Sequence, residues 1–312
     1  MNLIVGGTGF IGGHLAEYFF EKAEISKGIF RKGSYLRIMD QCGVQCIEAD
    51  ILDRSTLHEP LEGVETVYNL ASPTPKVGEG EDFLRANTEG IRNLFEEARE
   101  HRVKTFVQLS TMDVYGFGKH DSIDEFATPA PNHPYQRAKL AADQYLLDAA
   151  RNQTAMKVRI VRAARAVGAR DGTLVMPILR MAAAGRVVLP MSERVASFSH
   201  PKDVAQALLD AANSGGEKVL YLVKSFDSTA AELLHAILES YGKNVEVRNQ
   251  GLLSGKTLLS SYATAQLKTG LHLQEQGSSW QIIGYTPVYG LEKIRDEVVQ
   301  WCKREPWIMG QN

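Results

Sequence analysis

Asn2-Leu3-Ile4-Val5-Gly6-Gly7-Thr8-Gly9-Phe10-Ile11-Gly12 carries the reading of the whole chain. Residues 2–5 are short, apolar and β-prone, as a strand buried in a parallel sheet should be. From Phe10 onward, Ile11, Leu15, Tyr18 and Phe19 recur at helical spacing. A strand, a Gly-x-x-Gly-x-x-Gly turn and a helix make a site for a pyrophosphate. Glycines let the backbone approach the ligand, and the helix start offers free N–H groups and a positive dipole. Glycine spacings alone arise by chance in loops; the flanking strand and helix give this one its meaning.

The rest of the first half repeats the rhythm. Strand-like segments fall at 2–5, 27–31, 44–48, 65–70, 104–110 and 156–162, and helix-like ones near 10–22, 80–101 and 134–151. Such alternation predicts an α/β fold: a doubly wound parallel sheet of Rossmann type with right-handed crossovers. The strand ending at Leu109 delivers Ser110 and Thr111 to its carboxyl end, the edge where open parallel sheets bind ligands. After about residue 165 the pattern changes: helices are expected at 173–184, 201–212 and 291–301, a strand at 218–223, and less regular structure over 240–285. The expected division is a dinucleotide-binding domain of 1–165 and 200–223, with 166–199 and 224–312 forming a smaller, interleaved substrate-binding lobe.

The composition narrows the function class. A net charge of −2 gives no pull toward nucleic acid or an anionic membrane surface, and no apolar run approaches membrane-spanning length. Cys42, Cys46 and Cys302 are too few for a disulfide framework and lack zinc-knuckle spacing. Metal ligands are not expected, and a cytoplasmic protein with reduced thiols is.

Tyr135-Gln136-Arg137-Ala138-Lys139 sits on the helix that starts after Pro134 and places Tyr135 and Lys139 on one face. A free tyrosine titrates near pH 10, and a neighbouring ammonium favours the phenolate and lowers that value. Such a tyrosine can protonate a developing alkoxide or take a hydroxyl proton in reverse. Alone, the pair is common by chance and reads first as an exposed amphipathic face.

Read in order, the glycine turn, Asp50-Ile51-Leu52-Asp53, Asn69-Leu70-Ala71-Ser72, Asn87-Thr88-Glu89-Gly90, Ser110-Thr111-Met112-Asp113-Val114-Tyr115-Gly116 and the Tyr135–Lys139 pair are specific. This series resembles the extended short-chain dehydrogenase/reductase family, with its NAD(P)-dependent epimerase/dehydratase and 3β-hydroxysteroid dehydrogenase-like branches. Arg162-Ala163-Ala164-Arg165-Ala166-Val167-Gly168 resembles an eroded form of a later family segment, and Asp203-Val204-Ala205 and Gly284-Tyr285-Thr286-Pro287 match further landmarks. The resemblance implies an enzyme with Tyr135 as acid/base, Lys139 as its pKa-lowering, ribose-binding partner, and Thr111 holding the substrate oxygen. It implies that Gly6, Thr8, Gly9, Phe10, Ile11 and Gly12 cradle the pyrophosphate. Asp50 and Ile51 would meet the adenine, and Leu70, Ala71 and Ser72 would pass the pyrophosphate and ribose. Asn87 would be a structural hydrogen-bonder, and a homodimer through the helices near 80–101 and 134–151 is implied.

About twenty residues past the glycine turn, NAD sites usually carry a carboxylate for the ribose 2′-hydroxyl. This chain has Ile29-Phe30-Arg31-Lys32, and the two cations suit the 2′-phosphate of NADP, with NAD the alternative. Nucleotide-sugar enzymes of the family commonly carry an Arg where Ala196 stands; Arg194, two residues away, keeps the same face if both lie on a strand. Arg165 replaces the family's usual Asn and Ala163 its Pro, which tilts the reading toward a smaller or more apolar ketone or alcohol. Asp113 pulls the other way, standing where some sugar-nucleotide enzymes have a Glu base, although a surface carboxylate near a loop fits as well. Asp113, Arg165 and Arg194 are thus the candidate substrate residues. Three functions follow: an NADP-dependent oxidoreductase, a nucleotide-sugar epimerase or dehydratase, and a non-catalytic dinucleotide sensor.

Overall fold

The computed structural model describes residues 1–73, 84–124, 126–152, 155–190, 192–242, 245–249, 257–275 and 278–305. β1 (Asn2–Val5) passes through the glycine turn into α1 (Phe10–Glu21). Next come β2 (Ser26–Phe30), α2 (Arg37–Gln41), β3 (Gln45–Glu48), a 3-10 turn at Arg54–Thr56, the single turn α3 (His58–Leu61) and β4 (Thr66–Asn69). A π-helical turn, Ala86–Gly90, leads into α4 (Ile91–Glu100), followed by β5 (Thr105–Thr111), α5 (Pro134–Asn152) and β6 (Lys157–Ala163). The helix expected near 80–101 is therefore divided, and its first residues, 80–83, lie outside the described part.

The second half contributes β7 (Arg165–Ala166), α6 (Val175–Ala183), β8 (Arg186–Leu189), β9 (Val195–Ser199), α7 (Pro201–Asn213), β10 (Leu220–Val223) and β11 (Phe226–Thr229). It ends with α8 (Ala230–Tyr241), β12 (Glu246–Asn249), α9 (Ser261–Thr269), the short α10 (Trp280–Ile283) and α11 (Leu291–Arg304). Within 240–285, expected to be less regular, α9 is a helix of nine residues whose caps explain it. The Ser260 hydroxyl accepts the Ala263 N–H, and Gly270 closes the helix in the left-handed region at φ +58°. α8 opens with a reciprocal Thr229–Glu232 capping box.

Seven strands form one parallel sheet in the order β10-β6-β5-β4-β1-β2-β3. The order reverses at β1, so the crevice for a ligand opens beyond the carboxyl ends of β1 and β4. Strand alternation divides the core between two faces. Ile4, Tyr68, Val107 and Val161 pack with Leu15 and Phe19 of α1 and Val204 and Leu208 of α7. Leu3, Val5, Val67, Phe106 and Ile160 pack on the other face with Leu94 and Phe95 of α4 and Leu146 of α5. A further core joins Ile178 and Leu179 of α6, Phe198 of β9, Leu233 and Ile237 of α8, and Ile294 and Val298 of α11. β9 pairs with β7 and β11 in a separate small sheet. Among the described residues no helix is long and apolar enough to cross a membrane.

The glycine turn is fixed by backbone lying against backbone. A Cβ on Gly12 would stand 2.1 Å from the Gly6 carbonyl oxygen, whereas one on Gly172 would meet nothing within 4 Å. Gly12→Ala should cost about 1–3 kcal/mol of stability, the penalty for forcing atoms into a filled space. Gly172→Ala should stay within about 0.5 kcal/mol of the parent. Denaturant unfolding of the two variants checks the contrast.

Candidate active site

Gly6 leaves β1 at φ +87°, and a Cβ there would lie 2.7 Å from the Ala71 backbone nitrogen at the end of β4. The Gly9 N–H closes the turn on the Gly6 carbonyl at 3.1 Å, and α1 starts at Phe10 with no side chain covering its first N–H groups. Beside this turn lies a cavity of about 260 Å³ lined by Gly6, Thr8, Gly9, Arg31, Asp50, Ile51, Leu70, Ala71 and Ser72. Glycines that no larger residue could replace and an uncapped helix start fit a bound pyrophosphate. Three residues of the expected cradle do not line this cavity. Phe10 lines a groove on the far side of the turn, Ile11 packs toward the core, and Gly12 serves the close approach to Gly6.

The basic pair divides between two spaces. Arg31 borders the cavity, and with Lys32 it also borders an adjoining open depression of about 690 Å³ shared with Glu48 and Asp53. Asp50 is held by its own loop: its carboxylate accepts the Leu52 N–H at 2.9 Å, and its N–H reaches the Thr56 hydroxyl at 3.0 Å.

Ser72 joins the cavity to the catalytic candidates. Its hydroxyl is hydrogen-bonded with Tyr135, in the first turn of α5, and the buried Asn87 amide donates to it at 3.5 Å. Burial pushes the Tyr135 phenol well up, and the Asp113 carboxylate pushes it further; Ser72 works against both. Thr111 terminates β5; its hydroxyl oxygen accepts the Asp113 N–H at 3.1 Å, and the same hydroxyl is hydrogen-bonded to the Asp113 carboxylate.

The expected partnership of Lys139 with Tyr135 is not what the side chains make. The Lys139 ammonium donates to the Leu109 carbonyl at 2.7 Å, and burial brings it down to about 8, opposed by Asp143. It is not among the strongest influences on Tyr135, which are burial, Asp113, Ser72, Arg165 and Asp143. The expected lowering of the phenol's pKa is thus corrected to a rise, because burial outweighs any neighbouring cation and the Asp113 carboxylate adds to it.

Asp113 is buried, and the surface reading of it is overturned. The Tyr262 hydroxyl and the Gln266 amide, both from α9, donate to one of its oxygens at 2.6 Å each. Burial pushes this carboxyl up, while Tyr262, Arg165 and Gln266 oppose that rise. Arg165 in turn donates to the Gln266 carbonyl oxygen and to the Thr173 hydroxyl, and faces Asp171 at 3.7 Å. The Tyr262 and Tyr135 rings meet in a T-shaped pair at a centroid separation of 5.5 Å. Arg194 is not brought to this group. It precedes β9, is exposed, and pairs with Asp121 at 2.9 Å, whereas Ala196 lines a small cavity with Asp113 and Arg165.

A second set of residues, to which the sequence reading gave no role in the site, lies beneath. Asp143, fully buried one helical turn after Lys139, accepts from Arg162 at 2.8 Å and from Ser110 at 2.9 Å. Arg162 also donates to the Tyr115 hydroxyl at 3.0 Å. Tyr262 and Gln266 were missed too. Their four-residue spacing between Ser260 and Gly270 was the available signal, but it does not say which carboxylate they reach.

The fold and the site together define a dinucleotide-binding α/β protein. The model of the NAD dependent epimerase/dehydratase family matches residues 2–223, and the chain belongs to that family, within the extended short-chain dehydrogenases/reductases. The dinucleotide is accordingly a nicotinamide dinucleotide. Sterol demethylase protein B of Methylococcus capsulatus is 26% identical, over 77% of this chain and 74% of its own length. A 4-hydroxy-2-methyl-3-oxo-4-farnesyl-3,4-dihydroquinoline-1-oxide ketoreductase of Stigmatella aurantiaca is also 26% identical, over 79% of this chain and 75% of its own. In fold, the chain is similar to a UDP-glucose-4-epimerase of Stenotrophomonas maltophila, with TM-score 0.82, 20% identity and 98% of each chain covered.

Arg162→Met should destabilise the protein by about 3–5 kcal/mol, because it leaves Asp143 buried without its cation. Denaturant unfolding at neutral pH measures this. A cost within error of zero would show that Lys139 alone compensates Asp143.

Proposed function

We propose that this chain is an NADP-dependent oxidoreductase that moves a hydride to or from the carbonyl or alcohol carbon of a small-molecule, largely apolar substrate. The observation that carries the reading is the hydrogen bond between Tyr135 and Ser72, since Ser72 borders the cavity beside the glycine turn. It puts a proton-bearing phenol at the dinucleotide cavity. The nicotinamide cofactor supplies the hydride when bound. Gly6, Thr8, Gly9 and the start of α1 would hold its pyrophosphate, Arg31 and Lys32 the 2′-phosphate, and Lys139 a ribose.

The chain's own part is positioning and proton transfer. The Thr111 hydroxyl donates to the substrate oxygen, and Tyr135 delivers the proton that the developing alkoxide needs. Burial and Asp113 keep Tyr135 protonated, the state required of a general acid. The lobe formed by 166–199 and 224–312 covers the substrate. The relatives' names support an apolar carbonyl compound: one names a ketoreductase of a farnesylated quinoline oxide, the other a sterol. A second reading, an epimerase or dehydratase in which redox is internal, is favoured by Asp113, a buried carboxylate near Tyr135 that could act as a second acid/base.

Net consumption of NADPH with a ketone separates the two; turnover of a nucleotide sugar without net consumption would favour the second. Tyr135→Phe should lower carbonyl reduction by about a hundredfold or more while dinucleotide binding persists. Arg31→Ala should weaken NADPH about tenfold and leave NADH unchanged, the scale of one lost hydrogen bond between charged groups. Equal losses would remove the NADP assignment. Asp113 raises the Tyr135 pKa by disfavouring the phenolate, so Asp113→Asn should lower it. The alkaline fall of kcat for reduction should then move to lower pH, and an unmoved limb would contradict Tyr135 as the acid.

A further inference from the structure

On the outer side of the dinucleotide-binding half, three donor atoms converge that the proposed reaction does not use. They are His58 Nδ1 from the start of α3, Glu97 Oε1 from α4, and His101 Nε2 just past the end of α4. The two ring nitrogens are 3.0 Å apart, and the carboxylate oxygen lies 3.6 Å from His58 and 3.4 Å from His101. An ion bound tetrahedrally at about 2.0–2.1 Å holds its donor atoms roughly 3.3–3.4 Å from one another. The triangle therefore has the size of one face of such a coordination sphere. Without an ion, the same nitrogens are joined by a ring-to-ring hydrogen bond.

The surroundings suit ligation. Glu97 is nearly buried, and its other oxygen accepts Arg54 Nε at 2.8 Å, which orients the carboxylate and leaves Oε1 toward the histidines. Arg54 is itself paired with Glu100 at 2.6 Å. Glu97 and Glu100 both pair with Arg54, and Glu62 lies 3.9 Å from His58 Nε2, so three carboxylates gather about the site with one guanidinium, a surplus of negative charge that favours a cation. A proton on His58 Nε2 facing Glu62 would leave Nδ1 free to ligate, as outer carboxylates do for histidine ligands.

We propose that His58, Glu97 and His101 form a binding site for one divalent transition-metal ion. Two imidazoles and a carboxylate select zinc-like ions over magnesium or calcium, with a fourth position open to water or to a group from another molecule. The ion ties α3 to the end of α4. The same segment already leans on α4 through Arg54 and through the Asn93 amide, which donates to the Ile51 carbonyl at 3.0 Å beside the dinucleotide cavity.

The test is calorimetric titration of tag-free, chelator-treated full-length protein with zinc chloride, repeated with cobalt(II) followed by visible absorption. One ion per chain should bind, with the intense bands of tetrahedral cobalt, and Cys42→Ser/Cys46→Ser should bind as well as the parent. His58→Ala and His101→Ala should each weaken binding about tenfold or more, at least the loss that removing an outer partner causes. The His58 side chain is largely exposed, so His58→Ala keeps the fold, which circular dichroism verifies. No binding by the parent chain, or binding undiminished in folded His58→Ala, overturns the site.

Discussion

The contact of the Gly6 turn with the ends of β1 and β4 governs the placement of everything else. Gly6 must pass Ala71, and the first turn of α1 must pass the Gly6 carbonyl, at distances no Cβ allows. That constraint sets where the helix starts and which way its free N–H groups face. It also fixes the gap between β1 and β4 in which Leu70, Ala71 and Ser72 leave the sheet. Ser72 then sets the position at which Tyr135 can meet the cavity. The cavity beside the glycine turn and the Tyr135 phenol, set on separate elements, α1 and α5, are thereby held to one frame.

Beneath that frame lies a layer of buried charge. Lys139, Asp143 and Arg162 are all buried, joined through the Leu109 carbonyl, Ser110 and Tyr115. Each ion would be expensive to desolvate alone, and the group persists because its members hydrogen-bond one another and the end of β5. The strand that presents Thr111 is thus fixed by electrostatics as well as by its ladder to β4 and β6.

The fold was legible in the sequence wherever local signals were strong. The apolar strand 2–5, the glycines at 6, 9 and 12, Pro134 before α5 and Pro201 at the start of α7 each act over a few residues. The site was legible in its parts and not in its partnerships. Tyr135 and Lys139 share a helical face, yet burial against β5 sends Lys139 to a carbonyl, and Asp113 becomes the charge that Tyr135 feels. Asp113 itself is buried by α9, about 150 residues later in the chain. Such pairings depend on how the second half packs, which no short window encodes. Arg194 failed for a similar reason: the argument from strand spacing required it to lie on β9, which begins one residue later.

Gln266 gives the pocket a threshold for entry. Its amide group is engaged at both ends, the nitrogen giving to Asp113 and the oxygen receiving from Arg165. A molecule that reaches the buried carboxylate must displace that side chain and replace both bonds, or leave two ionisable groups poorly matched. Bulk and greasiness alone cannot do so. In the small cavity that Gln266 lines with Asp113 and Arg165, a ligand displacing it without a correctly placed polar group would forfeit both bonds, a larger penalty than a small mismatch of size.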